Sequence, residues 1–333
     1  MKKLLLLLLL FTGMVNAQIV NIPDTNFKAR LLEADVTNFI AFANGIYIKI
    51  DANNDGEIQQ SEALALDDLN VSFSNIADLT GILSFTNLQN LNCEQNIIQQ
   101  LDLNNLTNLI SLKCSNNLLL SLNLIGLVNL ETLECRFNQL PSLNLSNFIN
   151  LKNLFCSANQ LPSLNLSGLG SLQNLNCRDN LLQQLDLNNL TNLKSIECSD
   201  NQLLSLNLFG LANLETLDCR NNQLPSLNLT DLINLKNLLC NNNQLPTLNL
   251  TGLVNLQSLN FGANQLPLID LSGLINLQEL NCYTNQLTSI DVSNLINLKR
   301  LNCGSNLLST LDVSNLVNLQ VLICASNQIQ IKT

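Results

Sequence analysis

Residues 130–150 read LETLECRFNQLPSLNLSNFIN, with the skeleton Leu130-x-x-Leu133-x-Cys135-x-x-Asn138-x-Leu140-x-x-Leu143-x-Leu145. The skeleton returns in phase along most of the chain. Cysteine stands at 93, 114, 135, 156, 177, 198, 219, 240, 282, 303 and 324, and Phe261 fills the one missing beat. An asparagine follows each of these positions by three places, from Asn96 to Asn327. A fixed period of this length marks a solenoid, in which each unit buries its apolar face only against its neighbours.

One unit can be read chemically. Leu133 and Cys135 alternate with outward residues, which predicts a short parallel strand. Leu133, Cys135, Leu140, Leu143 and Leu145 are expected to point inward. Asn138 sits where the chain leaves the strand, and its amide carries both donors and an acceptor. Stacked copies should form an asparagine ladder. Prolines 141, 162, 225, 246 and 267 follow that corner. A turn as short as the step from Cys135 to Cys156 has no room for a full helix on its back, so extended or 3-10 pieces are expected there.

This skeleton resembles that of leucine-rich repeat proteins, and most of all bacterial exported proteins with short, internalin-like repeats. The resemblance spans 66–333, about four-fifths of the chain, as roughly thirteen turns. It implies a right-handed α/β-type solenoid with parallel strands on a concave face and extended or 3-10 segments on the convex face. It also implies protein or glycan binding, often at a cell surface. Related proteins frequently end in a sorting or anchoring domain. This sequence ends at Thr333, shortly after Asn327, which leaves anchoring and the completeness of the C-terminus open.

The first repeat, opened by Leu66, Leu69 and Val71, is irregular: Val71 holds the cysteine slot, and Cys93 follows one position later than the period requires. A longer unit is visible too. LDLNNLTNL occurs at 101–109 and again, four turns on, at 185–193. A block of four turns has been duplicated.

Residues 1–17, MKKLLLLLLLFTGMVNA, combine a charged start, a short apolar core and a small-residue end before Gln18. This is the pattern of a secretory signal peptide, too short for a membrane span. It predicts a secreted or cell-surface protein. Loss of Lys2 and Lys3 with this segment moves the net charge from −10 to −12. That acidic balance argues against nucleic acid, which requires a basic footprint.

Residues 18–65 read as an N-terminal cap over the open end of the solenoid. Residues 24–34 suggest a helix with Asp24 as N-cap, and 46–50 alternate like a strand. Within the cap, residues 51–62 (DANNDGEIQQSE) resemble an EF-hand loop at every defined position. That resemblance implies side-chain oxygens from Asp51, Asn53 and Asp55, a carbonyl from Glu57, a water-mediated contact through Gln59 and a bidentate Glu62. The alternative is a metal-free turn capping a helix that begins near Ser61. No cofactor is required, and any calcium here would brace the cap.

Eleven cysteines invite disulfides, but equivalent positions on parallel strands lie about 4.8 Å apart with parallel side-chain vectors, which does not suit a bridge. An unpaired, buried column is expected. The chain has no histidine and no CxxC, which removes the commonest nucleophile systems and zinc sites. Glu197, Asp200 and Asp218 fall near one another, but a flat sheet encloses no substrate, so no enzyme is expected.

The outward positions that break the repeat are the candidate binding residues: Glu134, Arg136, Phe137, Phe155, Arg178, Glu197, Asp218, Arg220, Leu239 and Tyr283. Arginine recurs every second turn, and arginine and aromatic residues are enriched in binding hot spots. The alternative use of these charges is a cross-strand ion-pair ladder of little worth. The turns from Asn260 to Gly304 are small and amide-rich, suited to sugar hydroxyls. The reading is a recognition scaffold for a protein, or less readily a glycan. Its alternative is a structural or adhesive spacer without a specific ligand.

Overall fold

The computed structural model describes residues 18–329 except Asn105; the expected signal peptide lies outside them. The chain forms two compact units. One holds the described residues up to Leu118 together with Asn123–Leu127; the other holds Leu119–Leu122 and the described residues from Val128 onward. Among the described residues, no helix is long and apolar enough to cross a membrane.

In the first unit, helix α1 (Thr25–Leu32) buries Phe27 and Leu31. Asp24 caps it as expected: Oδ1 accepts from the amides of Asn26 and Phe27, both at 2.9 Å. Its other oxygen accepts from the Ala77 and Asp78 amides at 2.8 and 3.0 Å, so one side chain ties the helix to the first turn of the solenoid. Strands β1 (Ala41–Ala43) and β2 (Ile46–Tyr47) form an antiparallel hairpin.

Here the structure departs from the expected single strand at 46–50. Asn44 and Gly45 adopt φ of 51° and 86°, the left-handed pair that a two-residue hairpin demands. The turn folds Ile46 and Tyr47 back onto residues 41–43 and ends the strand early. Strand β1 pairs antiparallel with β3 (Asp68–Asn70). From β3 the sheet continues parallel through Asn90–Asn92 to Ser111–Lys113. The cap thus contributes an antiparallel edge to a sheet that is otherwise repeat-built. A short helix α2 (Gln60–Ala63) closes the cap loop.

The second unit is a stack of three-residue strands, from Thr132–Glu134 through Asn174–Asn176 to Val321–Ile323. Each pairs in parallel with the next at a constant offset of one repeat, as in Leu133 with Leu154 and Leu154 with Leu175. Leu133, Cys135, Leu140, Leu143 and Leu145 are all buried, which places the core in the bore of the coil. The back of a turn is two successive β-turns. Leu169 N donates to Leu166 O at 3.2 Å and Leu172 N to Leu169 O at 2.9 Å. Gly168, at φ 84°, supplies the left-handed residue of the first. Each unit is by itself a parallel β-solenoid with little helix.

A second left-handed residue stands two places after every cysteine slot: Phe137, Ala158, Asp179, Asp200 and so on to Ser326, at φ between 50° and 57°. It swings the following asparagine into the coil. Asn159 shows the outcome. Its Oδ1 accepts from Leu140 N at 3.0 Å, and its Nδ2 faces the carbonyls of Cys135, Cys156 and Ser157 at 3.0, 3.1 and 3.3 Å. One amide satisfies buried backbone groups on two turns. The same bonds recur at Asn180, Asn201 and Asn222.

A further asparagine ladder, not expected from the sequence, runs down the back of the coil. Asn192 Nδ2 donates to Gly170 O, Asn213 to Thr191 O and Asn234 to Ala212 O at 2.8–3.0 Å. The signal was present: an asparagine precedes a core leucine in nearly every turn, with Ser171 as an exception.

The cysteines are free and form a buried column, with Cys324 half-buried. Burial pushes the Cys93, Cys156 and Cys240 thiols up to about 12, so they behave as small apolar side chains.

Candidate binding face

The outward strand residues of the second unit form registered rows. Glu134 stands beside Phe155, Glu197 beside Asp218, and Asp218 beside Leu239. The row after the cysteines alternates in size: Arg136, Arg178 and Arg220 alternate with Ser157, Ser199 and Asn241, which are buried. Parallel strands about 4.8 Å apart cannot seat a long side chain on every turn of one row without crowding, and alternation with small residues solves this.

Each arginine engages a neighbour on the same face. The Arg136 guanidinium lies 4.3 Å from the centre of the Phe155 ring, a cation–π stack. Arg178 Nε donates to Asp200 at 2.9 Å across one turn, with both side chains partly exposed. Arg220 donates to Asp218 at 2.8 and 3.1 Å within its own turn. These are separate local pairs, and Glu197 belongs to none of them: it accepts from Asn176 Nδ2 at 2.7 Å. Asp200 also accepts from Asn221 at 2.6 Å. The carboxylates Glu197, Asp200 and Asp218 therefore each have a separate partner.

Phe137 is 57% exposed and sits on the left-handed residue of its turn. Glu134, Phe155 and Leu239 are half-buried. Tyr283 stands apart from the arginines. Its ring crosses Gly262: a Cβ built there would be 2.1 Å from Tyr283 Cε1. Glycine at 262 is thus the seat of the tyrosine on the neighbouring turn. Nothing in the sequence alone points to that role.

The cap loop 51–62 holds itself together by side-chain bonds at alternate positions. Asp51 accepts from the amides of Asp55 and Gly56, both at 3.2 Å; Asn53 accepts from Asp55 N and Asp55 from Glu57 N, both at 2.9 Å. Glu62 reaches back to Ala52 N at 2.8 Å and Gln59 N at 2.9 Å. Gly56, at φ 79°, makes the sharp turn. The amides of Asn53 and Gln59 both donate to Asp55 Oδ2, at 2.9 and 2.8 Å. The backbone amide of Glu57 and the side chain of Gln59 hold the Asp55 carboxyl below its usual range. Glu57 turns its carboxylate to Lys28 at 2.7 Å. Among the described residues, no three acidic, cysteine or histidine side chains gather as a metal cluster. The carboxylates of Asp51, Asp55 and Glu62 each accept from neutral amides of the loop.

Comparison with protein-family models finds no match, and comparison with curated proteins finds none. Solved structures do match. The functional domain of InlJ from Listeria monocytogenes, described as including a cysteine ladder, is 27% identical with a TM-score of 0.82; the match covers 94% of this chain and 72% of that one. The internalin inlF of the same organism gives 25% identity and a TM-score of 0.82, covering 96% and 94%. A leucine-rich repeat protein of Leptospira interrogans gives 26% and 0.71, covering 81% of each chain. The chain has the leucine-rich repeat fold of internalin-like proteins.

Proposed function

We propose that this protein is a non-enzymatic, exported recognition scaffold that binds a protein through the strand face of its second unit. One observation carries the reading: the arginine and aromatic side chains of that face are held in place yet open to solvent. Arg136 rests on Phe155, Arg178 on Asp200 and Arg220 on Asp218, and Phe137 projects beside them. Side chains already fixed lose little freedom on binding, and such anchors dominate interface energies. The likeness to internalins supports a scaffold, and the pattern of residues 1–17 supports export to the medium or cell surface.

The test is capture of partners by the mature chain, with an Arg136/Arg178/Arg220 triple alanine variant as control. The reading expects a partner that the triple variant and Phe155→Ala both lose while remaining folded. A partner retained by both would refute it. If no partner is found, the spacer alternative gains ground. Turnover abolished by Glu197→Gln would establish an enzyme instead.

The cap loop is proposed as a weak structural calcium site. Asp51, Asn53, Asp55 and Glu62 offer hard oxygens, and a half-rotation of the Asn53 and Gln59 amides would present oxygen in place of nitrogen. Calcium would replace those neutral donors with a charge and brace the cap. A thermal melt with calcium and with chelator should differ, and Asp51→Ala should abolish the difference. Identical melts for the native chain would reject the site.

A further inference from the structure

The cap hairpin builds a recess of about 470 Å³ against the strand face of the first unit. One wall is a cluster of three rings. Phe39 and Tyr47 meet edge to face at 5.0 Å, and Phe42 meets Tyr47 at 5.3 Å. Phe39 remains 70% exposed despite its contact with Tyr47, and with Phe42 and Tyr47 it forms an apolar cluster open to solvent at the surface.

The floor is polar and ordered by register. Tyr47, Phe42, Asp68, Asn90 and Ser111 are successive partners across the sheet. The hydrogen bonds within this floor fix which atoms face outward. Asn90 Nδ2 donates to Asp68 Oδ1 at 2.5 Å, which leaves Asn90 Oδ1 and Asp68 Oδ2 as acceptors. In the next row, Asn70 Oδ1 accepts from Ser72 N at 3.1 Å and Asn92 Oδ1 from Glu94 N at 3.0 Å. Their Nδ2 groups are left as donors.

We propose that this recess binds a neutral pyranose saccharide. A sugar hydroxyl both donates and accepts, so adjacent hydroxyls need donors and acceptors interleaved, as Asn70, Asn92, Asp68 and Asn90 present them. The C–H face of a pyranose ring carries partial positive charge and fits the electron-rich face of an exposed aromatic ring, which Phe39 supplies. The recess volume lies within the usual range for a small-ligand site. This site is independent of the arginine stripe in the second unit.

The chain has two tyrosines and no tryptophan, so a Tyr283→Phe variant makes Tyr47 the sole strong emitter. That variant would be titrated with cellopentaose, maltopentaose, galactobiose and a tetramer of β-1,4-linked N-acetylglucosamine. The expected result is a saturable change in Tyr47 emission with at least one of these. In the same background, Phe39→Ala should weaken binding at least tenfold, Phe39→Tyr should retain it and Asn70→Ala should weaken it. Thermal unfolding should change little for Phe39→Ala, because most of the ring is already in water and only its edge contact with Tyr47 is lost. Absence of response to all four sugars up to about 10 mM, enough to occupy any site with Kd near 1 mM, overturns the proposal. So does unaltered affinity in Phe39→Ala. Loss of the protein partner in the triple arginine variant leaves it untouched, and the two readings can fail separately.

Discussion

The ring of Tyr283 occupies the space that any side chain at Gly262 would need. A Gly262→Ala chain should still fold, since the obstructing atoms belong to a side chain that can swing outward. The ring should lose its seat at a cost of about 1 kcal/mol, the lower end for overpacking. In a Tyr47→Phe background, acrylamide should quench Tyr283 emission more strongly in Gly262→Ala than in its parent. Equal quenching would show that the ring does not depend on the glycine.

The asparagine three places after each cysteine should be among the most sensitive positions of its turn. Asn159→Ala strands Leu140 N, while the Cys135 and Cys156 carbonyls keep their bonds from Asn138 and Asn180, both at 3.1 Å. A buried group left without a partner costs about 1–3 kcal/mol, so a net loss in that range is expected in urea melts. Asn192→Ala, on the exposed back ladder, should cost less than about 1 kcal/mol. The contrast between two asparagines in one coil separates burial from hydrogen bonding as the source of the effect.

The cysteine column should be silent in the native state. Burial holds Cys93, Cys156 and Cys240 near 12 and Cys303 near 11, so almost no thiolate exists at pH 8. A thiol reagent at that pH should label Cys324 first, as it is the half-buried member of the column. The other ten should react only after denaturation. Mass spectrometry of the labelled native chain decides this, and early labelling of Cys156 would contradict it.

Asp24 predicts a pH dependence. Partial burial alone would raise its pKa. The amides of Phe27, Ala77, Asp78 and Asn26 outweigh that and hold the carboxyl below 3.8. A carboxylate depressed in the folded state adds stability above its unfolded pKa, near 4, and loses it as pH falls through the folded value. Asp24→Ala should therefore cost about 1–3 kcal/mol at pH 7, from a lost N-cap and two lost tertiary bonds. The gap to the native chain should narrow below about pH 4. Paired urea melts at pH 7 and pH 3 measure it; a gap that widens in acid would contradict the assignment.

The coil was legible in the sequence because each buried residue is repeated in phase. Leu133, Cys135 and Asn138 say the same thing in every turn, and their roles follow from period and chemistry alone. The cap offers no repetition. Its hairpin depended on Asn44-Gly45, a local turn signal between two short apolar runs, and reading one strand through residues 46–50 hid the Phe39, Phe42 and Tyr47 cluster. On the strand face, the letters that break the repeat were visible, but their pairings were not. Arg178 reaches forward a turn to Asp200, Arg220 stays with Asp218, and Arg136 chooses a ring. Spacing cannot distinguish these, because all three partners lie within reach of a flexible guanidinium.

The ladders at the front corner and along the back share one property. In the second unit, each of their bonds joins a turn to itself or to the turn beside it. Tension applied along the coil would therefore load one seam at a time, and turns would peel away singly from a free end. Each would release a single repeat, about 70 Å of extended chain at roughly 3.4 Å per residue. Such a chain would lengthen stepwise under a pull and yield by increments, where a globular core of similar size would give way at once.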